Sequence, residues 1–168
     1  TSSAASDVYK RQTYDTSFKL SPPLRSEEDR IAIQNAIFDD TIDVITSDHK
    51  PMSNDTKILP FTSASTGASG IETLLPLTLN LLNKSDVSIM NILKKITLNP
   101  SKLLKVEIPK IKSNKKANFI IFDPNEQYLI NKDSLQTSPT PFHGRPVQGK
   151  NYMSMMNGEI VFDNLDLL

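Results

Sequence analysis

The segment 41–51, with the sequence T-I-D-V-I-T-S-D-H-K-P, constrains the fold more than any other part of the chain. Its apolar, β-branched run at 42–46 has the length and residue types of a buried strand. The run ends abruptly in Ser47, Asp48 and His49. A carboxylate and an imidazole at this position are poorly placed for packing. They are well placed for chemistry, because α/β barrels carry their active sites at the C-terminal ends of their strands.

The residues before this run predict a strand–helix–strand unit. An apolar piece at 18–20 has strand character, and the two prolines that follow it exclude a helix or a central strand there. Ser26 and the three acidic residues after it predict a helix start, and apolar positions between 31 and 38 predict an amphipathic helix of about three turns. Strands joined in this way run parallel, with a right-handed crossover.

After the predicted strand, the sequence indicates a long loop and then more helices. The loop at 50–65 is polar and rich in turn residues, which is typical of a functional loop. The predicted helices are 71–83, interrupted at Pro76; 89–97, capped by Ser88; and 99–104, capped by Asn99 with Pro100 at its first position.

The pattern changes from helices to strands beyond residue 104. Four short runs predict strands: 118–122, 128–130, 152–156 and 159–162. The last two flank Asn157 and Gly158, a strong signal for a two-residue hairpin turn. The chain is therefore predicted to be an α/β protein with a helix-rich part at 13–104 and a β-rich part at 105–168.

Composition narrows the classes of partner and cofactor. The formal net charge is +0, from 19 basic and 19 acidic residues, which gives no electrostatic reason to expect nucleic acid or an anionic membrane as a partner. No apolar run approaches the roughly 20 residues of a membrane span. The chain has no cysteine, so thiolate metal sites are excluded and a reducing cytoplasm is permitted. Any metal must therefore be bound by Asp, Glu or the two histidines, His49 and His143.

Asp48 has a functional and a structural interpretation. It could bind a metal and transfer a proton, because a carboxylate beside a metal-activated water can accept that water's proton and return it to a leaving group. Alternatively, it is a helix cap or a solvated loop acid. We expect His49 to support the site rather than to bind the same metal, because adjacent residues leaving a strand point in opposite directions.

Other candidate residues also have two interpretations. Gly67 and Gly70 could let a ligand approach the main chain closely, or they could only set the geometry of the loop. Arg25 could bind a substrate carboxylate, or it could form an exposed ion pair. His143 lies in a loop rich in Pro and Gly, and we expect it at the surface.

The first twelve residues are expected to be an artefact. Residues 2–12 match the translation of a transposon adapter used in preparing sequencing libraries, and the segment has no apolar signal core. We exclude 1–12 from the fold and expect the gene to extend upstream.

An ordered set of motifs resembles dihydroorotases of the amidohydrolase superfamily. The motifs are F-K-L-S-P-P-L-R-S-E-E-D-R, D-x-I-D-V-I-T-S-D-H-K-P, G-A-S-G-I-E-T-L-L-P-L, L-N-P-S-K-L-L, N-F-I-I-F-D-P, S-P-T-P-F-H-G-R-P-V-Q-G-K and N-G-E-I-V-F. The resemblance covers 13–162. Hydantoinases and allantoinases share the superfamily outline, but P-P-L-R followed by G-I-E-T-L-L-P is more similar to dihydroorotase.

The resemblance implies a fold, a reaction and partners. The fold would be the C-terminal part of a TIM (β/α)8 barrel followed by strands of a small β-sandwich. The reaction would be the zinc-dependent, reversible cyclisation of N-carbamoyl-L-aspartate to L-dihydroorotate in cytoplasmic pyrimidine synthesis, with two zinc ions per subunit. The assembly would be a homodimer or a complex with aspartate carbamoyltransferase. The alternatives are a non-catalytic dihydroorotase-like subunit that supports that transferase, or a related cyclic amidase such as a hydantoinase or allantoinase.

The resemblance also implies site residues. Asp48 falls on the family's metal-binding aspartate, the general acid and base. Ser21 falls where many members have a substrate-binding Asn, and Met52 where many have a substrate-binding His. Thr66 and Gly67 match a loop whose main chain contacts the substrate. Ser21 has a shorter reach than Asn, and Met52 cannot bond a carboxylate strongly, so the substrate is held differently in this branch or catalysis is reduced.

The family's other metal ligands are absent from these 168 residues. The resemblance places an H-x-H motif, a bridging lysine or acid and two further histidines upstream. One carboxylate cannot hold a catalytic zinc pair, and a few strands cannot close an eight-stranded barrel. We therefore expect these residues alone to bind zinc weakly, to have no activity and to expose apolar helix faces that promote aggregation.

Overall fold

The computed structural model describes residues 14–84, 86–108, 110–131 and 140–165. The predicted artefact at 1–12 lies outside the described residues. None of the described helices is long and apolar enough to cross a membrane. Helices and strands are both present, as expected for the predicted α/β class.

The elements follow one another as helices first and strands afterwards. A 3-10 helix at Thr16–Phe18 precedes α1, and a second one at Leu82–Lys84 follows α3. The α-helices are α1 (Glu27–Phe38), α2 (Asn54–Lys57), α3 (Leu74–Leu79), α4 (Ile89–Lys94) and α5 (Leu98–Leu103). The strands are β1 (Phe119–Leu129), β2 (Pro146–Met156) and β3 (Glu159–Asp163).

Helix α1 begins where the sequence predicts it. The Ser26 hydroxyl accepts a hydrogen bond from the Asp29 main-chain N–H at 3.2 Å, and the Asp29 carboxylate accepts one from the Ser26 N–H at 3.3 Å. This reciprocal capping box satisfies N–H groups that have no partner inside the helix. The predicted capped helix is confirmed.

The strand predicted at 18–20 is wrong. Residues Thr16–Phe18 form a 3-10 helix, and the Asp15 carboxylate caps it by accepting a hydrogen bond from the Ser17 N–H at 2.8 Å. Phe18 is buried against Leu24. The local cap and this contact outweigh the weak strand preference of three residues.

The buried strand predicted at 42–46 is also wrong. Among the described residues no strand pairs with this segment, and its side chains are half-buried or exposed. A parallel strand needs neighbours beside it to form a ladder. Single contacts hold the segment instead: the Ile45 N–H donates to the Lys95 carbonyl oxygen at 2.9 Å, and Lys95 Nζ donates to the Ile42 carbonyl oxygen at 2.6 Å.

Helix α3 differs from the prediction at both ends, and its last residue is Leu79 instead of 83. It begins at Leu74, and Pro76 is its third residue rather than an interruption. Proline is tolerated there, because N–H groups in the first turn have no partner within the helix.

The next two helices differ at their ends. Ser88 caps α4 as predicted, and its hydroxyl accepts from the Asn91 N–H at 3.3 Å, but the helix ends at Lys94 instead of 97. Asn99 is not the cap of α5. It lies inside the helix, and its side-chain amide donates to the Asp43 carbonyl oxygen at 2.9 Å.

The three strands form one antiparallel sheet in the order β1-β2-β3. The hairpin between β2 and β3 is confirmed: Asn157 and Gly158 have φ values of 54° and 91°, the left-handed pair that a type I′ turn requires. The strands predicted at 118–122 and 128–130 are one strand, β1, with irregular pairing between Asp123 and Gln127.

The sheet packs on helix α3 through strand β2. A Cβ atom on Gly149 would lie 2.2 Å from Leu79 Cδ1, so the helix approaches the strand as closely as a glycine permits. Asn80 also pairs with β2, because its carbonyl oxygen Oδ1 accepts from the Gln148 N–H at 3.2 Å. Leu79 is fully buried in this contact. The sheet is thereby fixed beside the pocket described next.

Candidate active site

An open pocket of about 100 Å³ lies beside the segment that ends in Asp48. Helices α1 and α3, the segment 45–48 and the loop 67–70 surround it. Its apolar wall includes Leu20, Ile37, Ile45, Leu74, Leu77, Leu81 and Phe142, and its polar groups belong to Ser21, Thr46, Ser47, Asp48, Ser69, Thr73 and Thr78. An apolar cavity with a few convergent polar groups is the usual form of a small-molecule site.

Asp48 is half-buried at this pocket. Its backbone has φ 44°, a left-handed conformation that is uncommon for residues other than glycine. Such residues often lie at functional sites, where the surrounding structure holds them. Lys50 Nζ lies 3.1 Å from Asp48 Oδ1, so one carboxylate oxygen already faces a cation.

The His49 side chain binds the main chain of the loop at Gly70 and Ile71, which is a supporting role. Its Nδ1 atom accepts hydrogen bonds from the Gly70 N–H at 3.2 Å and from the Ile71 N–H at 3.3 Å. An Nδ1 acceptor leaves the proton of a neutral imidazole on Nε2. His49 therefore fixes the loop that opposes Asp48.

Two glycines allow the loop 67–70 to press against the segment 47–52. A Cβ atom on Gly70 would lie 2.5 Å from the Ser47 carbonyl oxygen, and one on Gly67 would lie 2.6 Å from the Lys50 carbonyl oxygen. Gly67 also has φ 138°, which other residues rarely adopt. In this structure the close approach is between two parts of the protein main chain.

The structure brings together four of the residues that the sequence singled out, among them Gly70. Ser21, Asp48 and Gly67 all line the pocket. Gly67 is linked to the segment that leads to Ser21, because the Gly67 N–H donates to the carbonyl oxygen of Lys19, two residues before Ser21, at 3.1 Å.

Thr66 and Met52 are not among the residues that line the pocket. Thr66 is exposed. Met52 is half-buried, and its Cε atom lies 3.0 Å from the position of a Cβ on Gly67. Met52 therefore supports the loop from the side and offers it an apolar contact.

Sequence reasoning missed two buried lysines next to this site. Lys57 is 3% exposed and Lys95 is 1% exposed. Both donate to main-chain carbonyl oxygens of segments that lead into the pocket. Lysines in a polar loop and near the end of a short helix carry no sequence signal that separates them from surface lysines.

The described residues do not complete a metal site. Within 14–84, 86–108, 110–131 and 140–165, no three His, Asp or Glu side chains come together in a way that could hold a metal ion. Asp48 offers one carboxylate, and the Nδ1 atom of His49 is engaged by main-chain N–H groups. A catalytic zinc needs about three protein ligands, so further ligands would have to come from outside these residues.

Comparisons with known proteins give the class of protein. The model of the amidohydrolase family matches residues 13–161, and the chain belongs to this family. A curated dihydroorotase of Clostridium acetobutylicum is 38% identical over 152 residues, covering 89% of this chain and 36% of that protein. A curated dihydroorotase of Clostridioides difficile is 36% identical over 151 residues, again covering 89% and 36%. The motif resemblance to dihydroorotases is thus confirmed.

A solved structure supports the α/β class. The L-hydantoinase (dihydropyrimidinase) from Arthrobacter aurescens matches with a TM-score of 0.83 and 26% identity, over 95% of this chain and 37% of that one. Amidohydrolases generally depend on a metal. The chain spans 36% of the length of the two curated relatives, so it carries only a part of what those proteins contain.

Proposed function

We propose that this chain is part of a dihydroorotase, a cyclic-amide hydrolase that interconverts N-carbamoyl-L-aspartate and L-dihydroorotate. The observation that carries the proposal is the meeting of Asp48, Ser21 and Gly67 at one pocket. The identity to curated dihydroorotases over 89% of the chain supports this reaction rather than another of the family. The protein would act in cytoplasmic pyrimidine synthesis.

The proposed division of the chain follows its change of structure. Residues 13–104 would be the C-terminal part of a TIM barrel, and 105–168 would contribute strands to a small β-sandwich. The helices before residue 104 and the three-stranded sheet after it support this division.

Asp48 is the proposed metal ligand and proton carrier. A bound zinc supplies a water of lowered pKa, about 7 in hydrolytic enzymes. Asp48 would accept the proton of this water at a carboxylate oxygen and return it to the amide nitrogen that leaves. Its left-handed backbone and its half-buried position at the pocket support this role. The described residues hold too few ligands for the metal, so we propose two zinc ions only for the complete protein.

Ser21, Gly67, Thr66 and Met52 are the proposed substrate-binding residues. Ser21 offers a hydroxyl at the pocket, and Gly67 offers main-chain groups. The positions of Thr66 and Met52 outside the lining give them less direct support. For Met52, the apolar side chain favours a packing contact that holds Gly67 in place.

Asp48→Asn in the complete protein tests the proposal. The variant keeps the volume and removes the proton acceptor, so dihydroorotate turnover should fall by about 10³-fold or more. Bound zinc, measured in parallel, should also fall. Asp43→Asn is the matched control, because Asp43 is exposed five residues earlier, and its turnover should change less than about twofold. Unchanged turnover in Asp48→Asn would refute the role of Asp48.

Assays of the unaltered complete protein distinguish two alternative functions. A complete protein that opens hydantoins faster than dihydroorotate is a related cyclic amidase. A complete protein without turnover that binds aspartate carbamoyltransferase is a non-catalytic subunit, and the apolar Met52 contact at Gly67 is the feature that fits this alternative. Gel filtration of the active protein distinguishes a homodimer from that complex.

A further inference from the structure

Lys57 is a buried lysine at the end of helix α2, inside the loop 50–65. Its side chain reaches across to the segment before Ser21, and the residue is 3% exposed. Lys57 Nζ donates to the Thr16 carbonyl oxygen at 2.8 Å and to the Lys19 carbonyl oxygen at 3.4 Å. The ammonium therefore bridges the carbonyl groups of the first residue of the 3-10 helix and of Lys19, which follows the helix.

The contact between the loop and this segment is reciprocal. The Thr16 hydroxyl donates to the Lys57 carbonyl oxygen, so the main chain of Lys57 is held as well as its ammonium. Lys19 adds a second link, because its Nζ donates to the Thr62 carbonyl oxygen at 2.9 Å. The loop is thus fixed to the segment at both its middle and its far side.

The carbonyl group of Lys19 connects this contact to the pocket. It accepts from Lys57 Nζ and also from the Gly67 N–H, the latter at 3.1 Å. Ser21 follows two residues later, and both Ser21 and Gly67 line the pocket. One carbonyl oxygen therefore links Lys57, the main chain of Gly67 and the segment that leads to Ser21.

A buried ammonium is a costly way to hold a loop. Burial lowers the pKa of Lys57, the charge of Asp15 opposes that shift, and the charge of Lys19 adds to it. Packing alone would be served by an apolar side chain of similar length, which carries no desolvation cost. What an apolar side chain cannot do is donate to the two carbonyl groups at once.

We propose that Lys57 is a positioning residue for substrate binding, which fixes the Lys19 carbonyl group and through it the spacing of Ser21 and Gly67. This rests on the proposed function, because the substrate is the one proposed above. Lys57 does not line the pocket, and its action is exerted through the main chain.

The variant Lys57→Met tests this role in the complete protein. Methionine fills similar space and donates no hydrogen bond. We expect KM for dihydroorotate to rise about tenfold while kcat changes less than about threefold, since misplaced binding groups weaken substrate binding more than the chemical step. Lys94→Met, which removes an exposed lysine from helix α4, should leave both constants unchanged.

Amide hydrogen exchange provides a measurement that does not need activity. The Gly67 N–H should exchange about tenfold faster in Lys57→Met than in the unaltered protein, because its acceptor is no longer fixed. If the unaltered protein has no turnover, the proposed function fails, and the exchange rate still decides whether Lys57 positions Gly67.

A second variant covers the case in which Lys57→Met does not fold. Thr16→Val removes the bond to the Lys57 carbonyl oxygen without emptying the buried space. Thr16→Val should also raise KM, by a smaller factor, and it should also accelerate hydrogen exchange of the Gly67 N–H. Unchanged KM and unchanged Gly67 exchange in a folded variant would overturn the proposal.

Discussion

The sheet and the pocket region are held together in different ways. In the sheet, β1 and β2 pair through main-chain partners at 119–123 and 127–129, with irregularities between Ile121 and Phe122 and between Asp123 and Gln127. Around the pocket, single side chains bind main-chain groups of distant segments, as with Lys57, Lys95 and His49. A ladder spreads its stabilisation over many residues, whereas the pocket region concentrates it in a few. Substitutions at those few residues should therefore have larger effects.

The two buried lysines show a further difference within the pocket region. Lys95 Nζ has the Asp40 carboxylate at 2.6 Å besides the Ile42 carbonyl oxygen. The hydrogen bonds of Lys57 Nζ described above go to carbonyl oxygens, with Asp15 acting only as a nearby charge. Lys95 fixes the start of the segment that leads to Asp48, and Lys57 fixes the segment that leads to Ser21.

The largest stability effect is expected for Lys95→Met. The partly buried Ile42 carbonyl oxygen would lose its donor and Asp40 its cation, and the free energy of unfolding should fall by about 2–3 kcal/mol. Urea denaturation measures the change, and amide exchange of residue Ile45 should show where it acts.

The neighbouring Lys94→Met is the control for Lys95→Met. Lys94 is exposed, and its Nζ bonds only the side chain of Asn91 among the contacts described, at 3.2 Å. Its loss should change the free energy of unfolding by less than about 0.5 kcal/mol. Equal effects of the two substitutions would contradict the conclusion that a few buried side chains stabilise the pocket region.

A smaller effect is expected for Gly158→Ala in the hairpin of the sheet. Open space surrounds the position of the new Cβ, so the cost comes only from φ 91° and should be about 1–2 kcal/mol. Gly158→Asn should cost roughly half as much, since Asn tolerates left-handed backbone better. A larger loss for Gly158→Ala than for Lys95→Met would show that the hairpin, rather than the lysine anchor, dominates stability.

The smallest effect is expected in how the free energy of unfolding changes at acidic pH. The hydrogen bonds from Lys150 and Tyr152 lower the pKa of Glu126 below its ordinary value of 4.5. A depressed pKa in the folded state gives stability above the unfolded value that is lost as the pH falls through the folded value. Glu126→Gln should therefore flatten the decline in the free energy of unfolding below about pH 4.5. An unchanged decline would show that this group does not stabilise β1.

The features that were predicted correctly from the sequence are those that depend on contacts between residues close together in the chain. The capping box of Ser26 and the turn at Asn157 and Gly158 involve residues at most three positions apart, so their patterns specify them. The predictions at 18–20 and 42–46 failed, because strand residues become strands only beside a partner. The prediction of Asn99 as a cap was wrong, because its side-chain amide donates to the Asp43 carbonyl oxygen instead.

The sequence singled out some of the residues that line the pocket, but it did not indicate the contacts that hold them. The position of Asp48 after an apolar run pointed to the pocket, and Ser21 and Gly67 were identified by family motifs. The supporting role predicted for His49 matches its bonds to the loop at Gly70. The proposed role of Lys57 could not be predicted from the sequence, because the carbonyl groups that it binds lie about forty residues away in the chain.

The sequence by itself determined the capped starts of α1 and α4, the hairpin and the family to which the chain belongs. Only the tertiary structure decided which segments face the pocket and which lysines hold them. The physical reason is the reach of the interactions. Caps and turns form between neighbours in the chain, whereas the contacts of Lys57, Lys95 and Gly67 join segments that are distant in sequence and meet only in the folded protein.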